Sequence, residues 1–398
     1  MNKNRCSTPL GTKDLLLEES YARREIEATL SLLFSRRGFS EVMTPGMEYL
    51  DVFLGDHPAV PVESMYKMCD TKGRLLVMRP DSTLPIARLA ATRLQHAPMP
   101  LRLYYAQDVY HMNVGLTGHA DQEFQAGVEM IGASGKKADL EILSLAAAAL
   151  QAVVGNGFRL EIGHVGFFEA LAEELSCSPS TVEELRDLIE GKNYAALNEL
   201  LDTLDSSEAV DALHRLPHLF GGEQVLSDAK AVCRTSQSLK ALEDLASLYQ
   251  SLCALGLQDH VIFDLGMLHS NEYYTGLIFR GYVEGSGDIV LSGGRYDTLL
   301  QQFGANQPAT GFAVSVDVLM RVLHRTAKAP AVSQADYLIH AEDGYDTAAL
   351  ELIAEWTKDG KSCEFSLVNT LEEAIEYASR KSIAHVVSVS DNCTVIDV

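Results

Sequence analysis

The sequence has no long hydrophobic run. None of its segments approaches the roughly 18 consecutive apolar residues that a membrane-spanning helix requires. The first 14 residues, MNKNRCSTPLGTKD, contain no apolar core of the kind found in secretory signal peptides. These two absences argue against a membrane protein and against a secreted one. We therefore expect a cytoplasmic location.

Paired cysteine and histidine motifs are also missing. The seven cysteines are an odd number, lie far apart and include no C-x-x-C pair, which would indicate a zinc or redox site. This usage is typical of a reducing compartment. His111, His119 and His269 are candidate metal ligands by residue type, but neither an H-E-x-x-H motif nor another short ligand spacing is present. We expect no metal and no cofactor.

Basic clusters are few and small. The chain has 32 Lys and Arg against 55 Asp and Glu, which gives a formal net charge of −23. Its densest basic clusters are the pairs Arg23-Arg24, Arg36-Arg37 and Lys136-Lys137, beside acidic residues, as is typical of solvated helix faces. A chain of this charge repels phosphodiester backbones at long range. Nucleic acid is therefore a poor candidate partner.

The composition is that of a folded protein. Hydrophobic residues make up 47% and charged residues 22% of the 398 positions, and no tract is of low complexity. Apolar residues recur at helical spacing between Glu18 and Arg37, with Tyr21 and Phe34 near one face. Patterns over residues 65–78, 102–111 and 123–132 predict strands. We predict an α+β fold in which helices flank a mainly antiparallel sheet.

The chain is predicted to divide near residue 331, because a single core rarely extends over so many residues. The pattern over residues 166–258 predicts successive helices, which we interpret as an insertion into the larger domain, residues 1–330. The linker TAKAPAVSQA then interrupts the periodicity. Residues 331–398 alternate as β-α-β-α-β-β and predict a small C-terminal α/β domain.

Spaced motifs run along the sequence in a recognisable order. They are PLGTKD, TPGMEYLDVF, MRPDSTLPIAR, LRLYYAQDVY, EFQAGVEMIG, NEYYTG, GGRYD and GFAVSVDVLM. In this order the sequence resembles histidyl-tRNA synthetase, a class II aminoacyl-tRNA synthetase, over residues 9–325. The resemblance implies the class II synthetase fold. It extends loosely to residues 331–398, which resemble a shortened anticodon-binding domain.

The resemblance also implies a pocket for an amino acid. The matching positions are Asp81, Thr83, Gln125, Glu129, Tyr273, Tyr274 and Tyr296. Two carboxylates and an amide can receive an α-ammonium and an imidazole N–H, while tyrosine rings and hydroxyls complete a mostly apolar pocket. A site of this composition is competent to bind histidine.

Ordinary structural roles are the alternative for these residues. Tyr273 and Tyr274 could be strand residues, one in the core and one facing outward. A pair such as Gln125 and Glu129 shares a face in a helix and in a strand alike, and is usually exposed. The Gly293-Gly294 pair most often marks a turn, and we predict a turn there as well as a close approach of backbone to a ligand.

Three positions lack the arginines on which the synthetase family relies for adenylation. They hold His111, His269 and Val318. Valine cannot bind a phosphate, and a histidine near its ordinary pKa is mostly neutral at pH 7 and lacks the bidentate guanidinium fork. Loss of one transition-state donor commonly costs about 2.7–4 kcal/mol. We therefore expect negligible amino-acid activation and no catalytic residues.

A synthetase-like chain without these arginines and with a shortened tail resembles the regulatory subunits of ATP phosphoribosyltransferase. That resemblance implies a non-catalytic protein, which pairs with a short-form catalytic subunit and confers feedback inhibition by L-histidine on the first step of histidine biosynthesis. It also implies a homodimeric core within a hetero-octamer, and no tRNA partner. Acidic residues in the tail fit this interpretation. They include Glu342, Asp343, Glu351, Glu355, Glu372, Glu373 and Glu376.

Two other functions remain open from the sequence. One is a divergent histidyl-tRNA synthetase, in which Arg102, Arg295 or His111 replaces the missing charges. The other is a free-standing histidine sensor with a different partner.

Overall fold

The computed structural model describes residues 5–55, 60–113, 120–233, 235–268, 273–330, 332 and 334–398. Their contacts divide the chain into two compact units, Met1–Pro330 and Ala331–Val398. Within the described ranges, every helix is too short or too polar to cross a membrane.

Strands and helices of the first unit follow one another along the chain. The strands are β1 (Ser40–Glu41), β2 (Met47–Tyr49), β3 (Lys67–Cys69), β4 (Leu75–Met78), β5 (Leu101–Tyr110), β6 (Gln122–Ile131), β7 (Phe158–His164), β8 (Phe220–Gly221), β9 (Val261–Asp264), β10 (Leu277–Val283), β11 (Leu291–Arg295) and β12 (Ala309–Ser315). The helices are α1 (Leu17–Arg36), α2 (Thr83–Thr92), α3 (Lys136–Val154), α4 (Val165–Ala172), α5 (Pro179–Glu190), α6 (Tyr194–Leu201), α7 (Glu208–Arg215), α8 (Gln224–Val232), α9 (Ser236–Ala254) and α10 (Val316–Arg325).

A nine-stranded sheet organises the first unit, in the order β1-β5-β6-β12-β11-β10-β7-β9-β8. Most neighbours are antiparallel, as predicted, and among the described residues of this sheet only the pairs β1/β5 and β7/β9 are parallel. Strands β2, β4 and β3 form a separate small antiparallel sheet. The long central strands β5, β6 and β12 lie side by side, so residues near their middles are held at a fixed register.

Two groups of buried side chains cover the two faces of the large sheet. Tyr104 belongs to one group and its neighbour Tyr105 to the other, because successive side chains of a strand point to opposite faces. The first group includes apolar residues from α1, α3, α9 and α10. The second includes residues from β4 and α2 together with three tyrosines near β10 and β11. The sheet therefore separates a helix-covered face from a face rich in tyrosine.

In helix α1 the apolar residues of the sequence pattern form the buried face. Ala22, Ile26, Leu30 and Phe34 recur at every fourth position and are buried. The helix stops before Gly38, whose φ of +81° is accessible to glycine at little cost. The prediction that Tyr21 lies on the buried face was wrong. Its side chain is 37% exposed, because the strict four-residue spacing places Ala22 on that face instead.

Six helices, α4 to α9, fill the segment predicted to be a helical insertion, with the two-residue strand β8 among them. Several begin at a side-chain cap. Ser178 accepts the backbone N–H of Thr181, and Pro179 occupies the first turn, where its missing N–H costs nothing. Buried leucines such as Leu185, Leu213 and Leu242 join these helices to the core of the sheet.

The second unit has a four-stranded sheet of its own. Its elements are β13 (Tyr337–Ala341), α11 (Asp346–Lys358), β14 (Cys363–Phe365), α12 (Leu371–Lys381), β15 (His385–Val389) and β16 (Thr394–Asp397). The strand order is β14-β13-β15-β16, with β15 and β16 antiparallel. A capping box at Thr370 and Glu373 begins α12. The order of elements agrees with the predicted β-α-β-α-β-β pattern.

Candidate functional site

The seven residues proposed from the sequence lie together around one cavity. We call it the front cavity. Its volume is about 340 Å³, and its lining includes Asp81, Thr83, Gln125, Glu129, Tyr273, Tyr274 and Tyr296. It opens on the tyrosine-rich face of the large sheet, next to the start of α2. Residues more than 200 positions apart are therefore brought into a single pocket.

Strand β6 supplies Gln125 and Glu129. Residues four apart on a strand share a face, so both side chains line the cavity. Glu129 is only 2% exposed, whereas Gln125 is partly exposed. Gly311 of β12 lies opposite Glu129 in the register, and a side chain at that position would collide with the Glu129 carboxyl. A glycine in β12 thus makes room for a buried carboxyl group.

The start of α2 supplies Asp81 and Thr83. Asp81 Oδ1 accepts the backbone N–H of Leu84 at 2.8 Å, as a capping carboxylate does. Thr83 Oγ1 donates to Glu129 Oε1 at 2.7 Å. Directly before this turn, buried Arg79 donates to the carbonyl oxygens of Thr44, Pro45 and Asp108 and fixes the end of β4. Arg79 was not predicted from the sequence as a site residue, although an arginine directly after the apolar LLVM run was the available signal.

Three tyrosines complete the pocket. The ring of Tyr273 lies 4.8 Å from that of Tyr274 and 5.7 Å from that of Tyr296, measured between centroids. All three are buried, so the alternative that one of the first two faces outward was wrong. The hydroxyl of Tyr296 donates a hydrogen bond to Glu129 Oε2. Glu129 therefore receives one hydroxyl on each carboxyl oxygen.

The Gly293-Gly294 pair does not form the predicted turn. Both residues lie within β11. A side chain on Gly294 would come within 2.7 Å of the Tyr274 ring, and one on Gly293 would collide with Phe279 and Phe312. The glycines are needed because aromatic rings pack directly on the strand backbone, not because the chain reverses there.

Burial controls the charge state of the two carboxyl groups. Desolvation raises the pKa of Glu129 from its ordinary value of 4.5 to about 8, against the opposing hydrogen bonds from Tyr296 and Thr83. Desolvation likewise raises the pKa of Asp81 to about 6, opposed by the backbone N–H groups of Leu84 and Thr83. At pH 7 Glu129 is thus mostly protonated. A cationic ligand group placed beside it would favour the ionised form.

The three positions that lack the arginines of the synthetase family lie in different parts of the chain. His111 lines the front cavity, and burial lowers its pKa against the opposing charges of Glu123 and Asp121, so the imidazole is neutral at pH 7. Val318 is 7% exposed in α10 and packs in the helix-covered core, away from the cavity. His269 lies outside the described residues, as does His119.

The arginines considered as replacements are engaged elsewhere. Arg102 forms a bidentate ion pair with Glu141. Arg295 binds Asp139 at 2.6 Å and Asp297 at 2.9 Å. Among the described residues that line the front cavity, none is a lysine or an arginine. Three uncharged polar residues that were not predicted from the sequence also line it, Ser64, Asn113 and Ser292. Ser64 and Asn113 lie outside the motifs, whereas Ser292 directly precedes GGRYD.

A metal site is not evident in the ranges that the structure covers. No group of three or more His, Cys, Asp or Glu side chains there is arranged to hold an ion. Carboxyl, amide and hydroxyl oxygens dominate the polar part of the front cavity. These oxygens can accept hydrogen bonds, so the cavity suits an organic ligand with several hydrogen-bond donors.

Known relatives match this chain over almost its whole length. A family model described as histidyl-tRNA synthetase matches residues 11–319. The ATP phosphoribosyltransferase regulatory subunit of Clostridium botulinum is 37% identical over 382 residues, which are 95% of this chain and 90% of the relative. The protein of the same name from Clostridium acetobutylicum is 36% identical over 392 residues, which are 98% of this chain and 96% of the relative.

Solved structures show the same architecture. A crystal structure from Bacillus halodurans, described as an ATP phosphoribosyltransferase regulatory subunit/histidyl-tRNA synthetase, superimposes with a TM-score of 0.86. It is 30% identical and covers 96% of this chain and 98% of its own. Histidyl-tRNA synthetase from a Nostoc species has a TM-score of 0.81 at 17% identity, over 98% of this chain and 97% of its own, and shows the fold alone. The predicted class II synthetase-like fold is confirmed.

Replacement of Glu129 by glutamine should reveal the raised pKa as a pH-dependent stability difference. Below pH 4.5 the carboxyl is protonated in the folded and the unfolded chain and imposes no penalty. Between pH 4.5 and about 8 only the unfolded chain loses this proton, so the stability of the native protein falls. One pKa unit corresponds to about 1.4 kcal/mol. The variant should therefore gain a few kcal/mol relative to the native protein between pH 5 and pH 8.

Urea unfolding of the two chains at several pH values measures this difference. Glu25→Gln on the exposed surface of α1 is the matched control, and its difference from the native chain should not change with pH. A stability difference for Glu129→Gln that stays constant from pH 5 to pH 8 would contradict the raised pKa.

Proposed function

The chain belongs to the family of ATP phosphoribosyltransferase regulatory subunits, and we propose that it binds L-histidine in the front cavity and transmits this binding to a short-form catalytic subunit. Its role in the first step of histidine biosynthesis is regulatory and non-catalytic, as the names of its relatives indicate. The resemblance expected from the motif order is confirmed at the level of the family.

The observation that carries the histidine proposal is the buried, hydroxyl-bonded carboxyl of Glu129 in a pocket otherwise rich in tyrosine. A ligand with an ammonium group and an imidazole N–H supplies the donors that Glu129, Asp81 and Gln125 can accept. The volume of about 340 Å³ falls at the lower end of the range for small-molecule sites, roughly 300–1,000 Å³. A single amino acid suits such a pocket better than a nucleotide does.

The composition of the lining argues against ATP as the ligand. A triphosphate needs several cationic groups, and the described lining offers only neutral His111 in that place. The two arginines able to substitute, Arg102 and Arg295, are neutralised by carboxylates outside the front cavity. We therefore rank a divergent histidyl-tRNA synthetase below the regulatory function.

Thermodynamic linkage relates histidine binding by this chain to substrate binding by the catalytic subunit. If bound histidine favours an arrangement of this chain that reduces catalysis in its neighbour, then substrates of the catalytic subunit must weaken histidine binding by the same factor. We propose a homodimeric core of this chain within a hetero-octamer, in a cytoplasmic setting. tRNA is not a proposed partner, because the acidic side chains of the second unit named above are exposed.

An assay of ATP phosphoribosyl transfer tests the regulatory proposal. A short-form catalytic subunit from the same source is measured alone, with this chain, with its Glu129→Gln variant and with the Glu25→Gln control, each across a histidine titration. The native chain and the control should confer the same inhibition by histidine. The Glu129→Gln variant should require about tenfold more histidine or more, because a buried charge partner of the ligand is removed.

Two results would count against the proposal. Either a rate and histidine sensitivity that do not depend on adding the chain, or full sensitivity with Glu129→Gln, contradicts it. The second outcome would leave the regulatory function in place and overturn the front cavity as the histidine site. A histidine-binding chain with no effect on the catalytic subunit would favour the free-standing sensor.

Histidine-dependent pyrophosphate exchange with ATP separates the regulatory from the synthetase function. We expect no exchange above background, because losses of several transition-state donors combine to a very large barrier. An authentic histidyl-tRNA synthetase serves as the positive control. Clear exchange by the native chain, absent from Glu129→Gln, would establish the synthetase alternative.

A further inference from the structure

A second and larger cavity lies on the helix-covered face of the sheet, and we call it the rear cavity. Its volume is about 490 Å³. Side chains from α3, α4 and α9 surround it, together with residues at the ends of β7, β10 and β11. Its size is within the range of small-molecule sites. None of the residues proposed to bind histidine lines it.

The wall and floor of the rear cavity are chemically distinct. Apolar residues of α9, among them Ala241, Leu245 and Leu248, form part of the wall. Part of the floor is the ion pair of Arg295 with Asp139, and Asp297 also binds the Arg295 guanidinium. This arginine is therefore already satisfied and offers little attraction to a further anion.

Other charged residues that line the cavity are not paired in this way. Glu169, Glu173, Asp244 and Lys240 are solvent-exposed where they line the cavity, and within the described part of the chain they form no side-chain hydrogen bond or ion pair. Lys136 donates to Ser247 at 2.6 Å. With Arg295 neutralised by two carboxylates, three acidic residues remain against two lysines. The local balance is negative.

His164 also lines the rear cavity. Its Nδ1 is buried and has no hydrogen-bond partner in the described structure. Burial lowers the pKa of the ring, with Asp244 opposing the shift and Lys240 adding to it, so the imidazole is neutral at pH 7. A neutral imidazole presents one acceptor nitrogen. The carboxylates that line the cavity favour a ligand that is rich in hydrogen-bond donors.

We propose that the rear cavity is a second ligand site, which binds a small organic cation carrying an alkylammonium or guanidinium group. The apolar residues of α9 contact the hydrocarbon part of the ligand, while Glu169, Glu173 and Asp244 receive its charged group. A cation of this kind offsets the excess of negative charge on the residues that line the cavity.

The rear cavity is connected to the front cavity through a shared stretch of backbone. Tyr296 lines the front cavity, whereas its neighbours Arg295 and Asp297 line the rear one. The backbone N–H of Thr275 donates to Arg295 O at 2.8 Å, and Thr275 Oγ1 accepts the Asp297 N–H at 2.9 Å. Thr275 in turn follows Tyr274, which lines the front cavity. A ligand in the rear cavity is thus positioned to alter histidine affinity, a consequence that rests on the proposed function.

Binding of putrescine, a four-carbon dication, tests the proposal, with succinate as the four-carbon dianion of similar length. Equilibrium dialysis at physiological ionic strength should show saturable binding of putrescine and none of succinate. The double variant Glu169→Gln/Asp244→Asn should weaken putrescine binding about tenfold, and Lys240→Gln should strengthen it. The control Glu25→Gln/Glu376→Gln changes the net charge equally at exposed positions that do not line the cavity, and it should bind as the native chain does.

The controls separate a specific site from general attraction to an acidic chain. Absence of putrescine binding, or equal loss in both double variants, would overturn the rear cavity as a cation site. If the acidic double variant fails to fold, an unchanged putrescine affinity of the Lys240→Gln variant would contradict the proposed cation site. Because Glu129→Gln leaves the rear cavity intact, putrescine binding to that variant should persist even if the histidine proposal fails. A histidine affinity that putrescine does not alter would overturn the connection between the cavities.

Discussion

The buried carboxyl of Glu129 is the constraint on which the front cavity depends. Thr83 from α2 and Tyr296 from the end of β11 both donate to it, so three separate parts of the chain meet at one group. Without these hydroxyls a carboxyl at 2% exposure would be an unsatisfied polar group in an apolar environment. These hydrogen bonds hold the three segments together. The carboxyl can still ionise when a cationic ligand group binds beside it.

The proposed recognition of histidine and the stability of the chain oppose each other at Glu129. The same desolvation that raises the pKa of Glu129 to about 8 lowers the stability of the ligand-free chain at neutral pH. Binding sites commonly keep such groups because the ligand supplies the missing charge. In a regulatory protein this property is useful, because a small cationic ligand that ionises Glu129 can shift the equilibrium between two states of the protein.

The large sheet separates the front cavity from the rear cavity, so different side chains line each of them. Alternation along β11 and the residue after it places Ser292 and Tyr296 on one face and Arg295 on the other. The two faces differ in composition. Tyrosines and neutral His111 line the front cavity, whereas the ion pairs of Arg295 line the rear cavity. A short shared segment, Arg295 to Asp297 with Thr275, is the physical link between them.

Much of the fold was predictable from the sequence, because its helices and strands have strong periodicity. The spacing of Ile26, Leu30 and Phe34 predicted α1, and the order of elements in the second unit was correct. The Gly293-Gly294 turn was wrong, because the packing of Tyr274 and Phe312 on β11 is a tertiary effect that local propensity does not contain. The gathering of the seven pocket residues was suggested by motif resemblance and not by periodicity. The role of Arg79 and the rear cavity depend on three-dimensional packing alone.

Calorimetric titration of the isolated chain with L-histidine tests the role of Glu129 most directly. At pH 7.5, in two buffers of different ionisation enthalpy, the native chain should bind histidine and release a substantial fraction of a proton per site, because the ligand ammonium ionises Glu129. The Glu129→Gln variant should bind weakly and release none. Tight binding with no proton release by the native chain, retained by the variant, would contradict this role of Glu129.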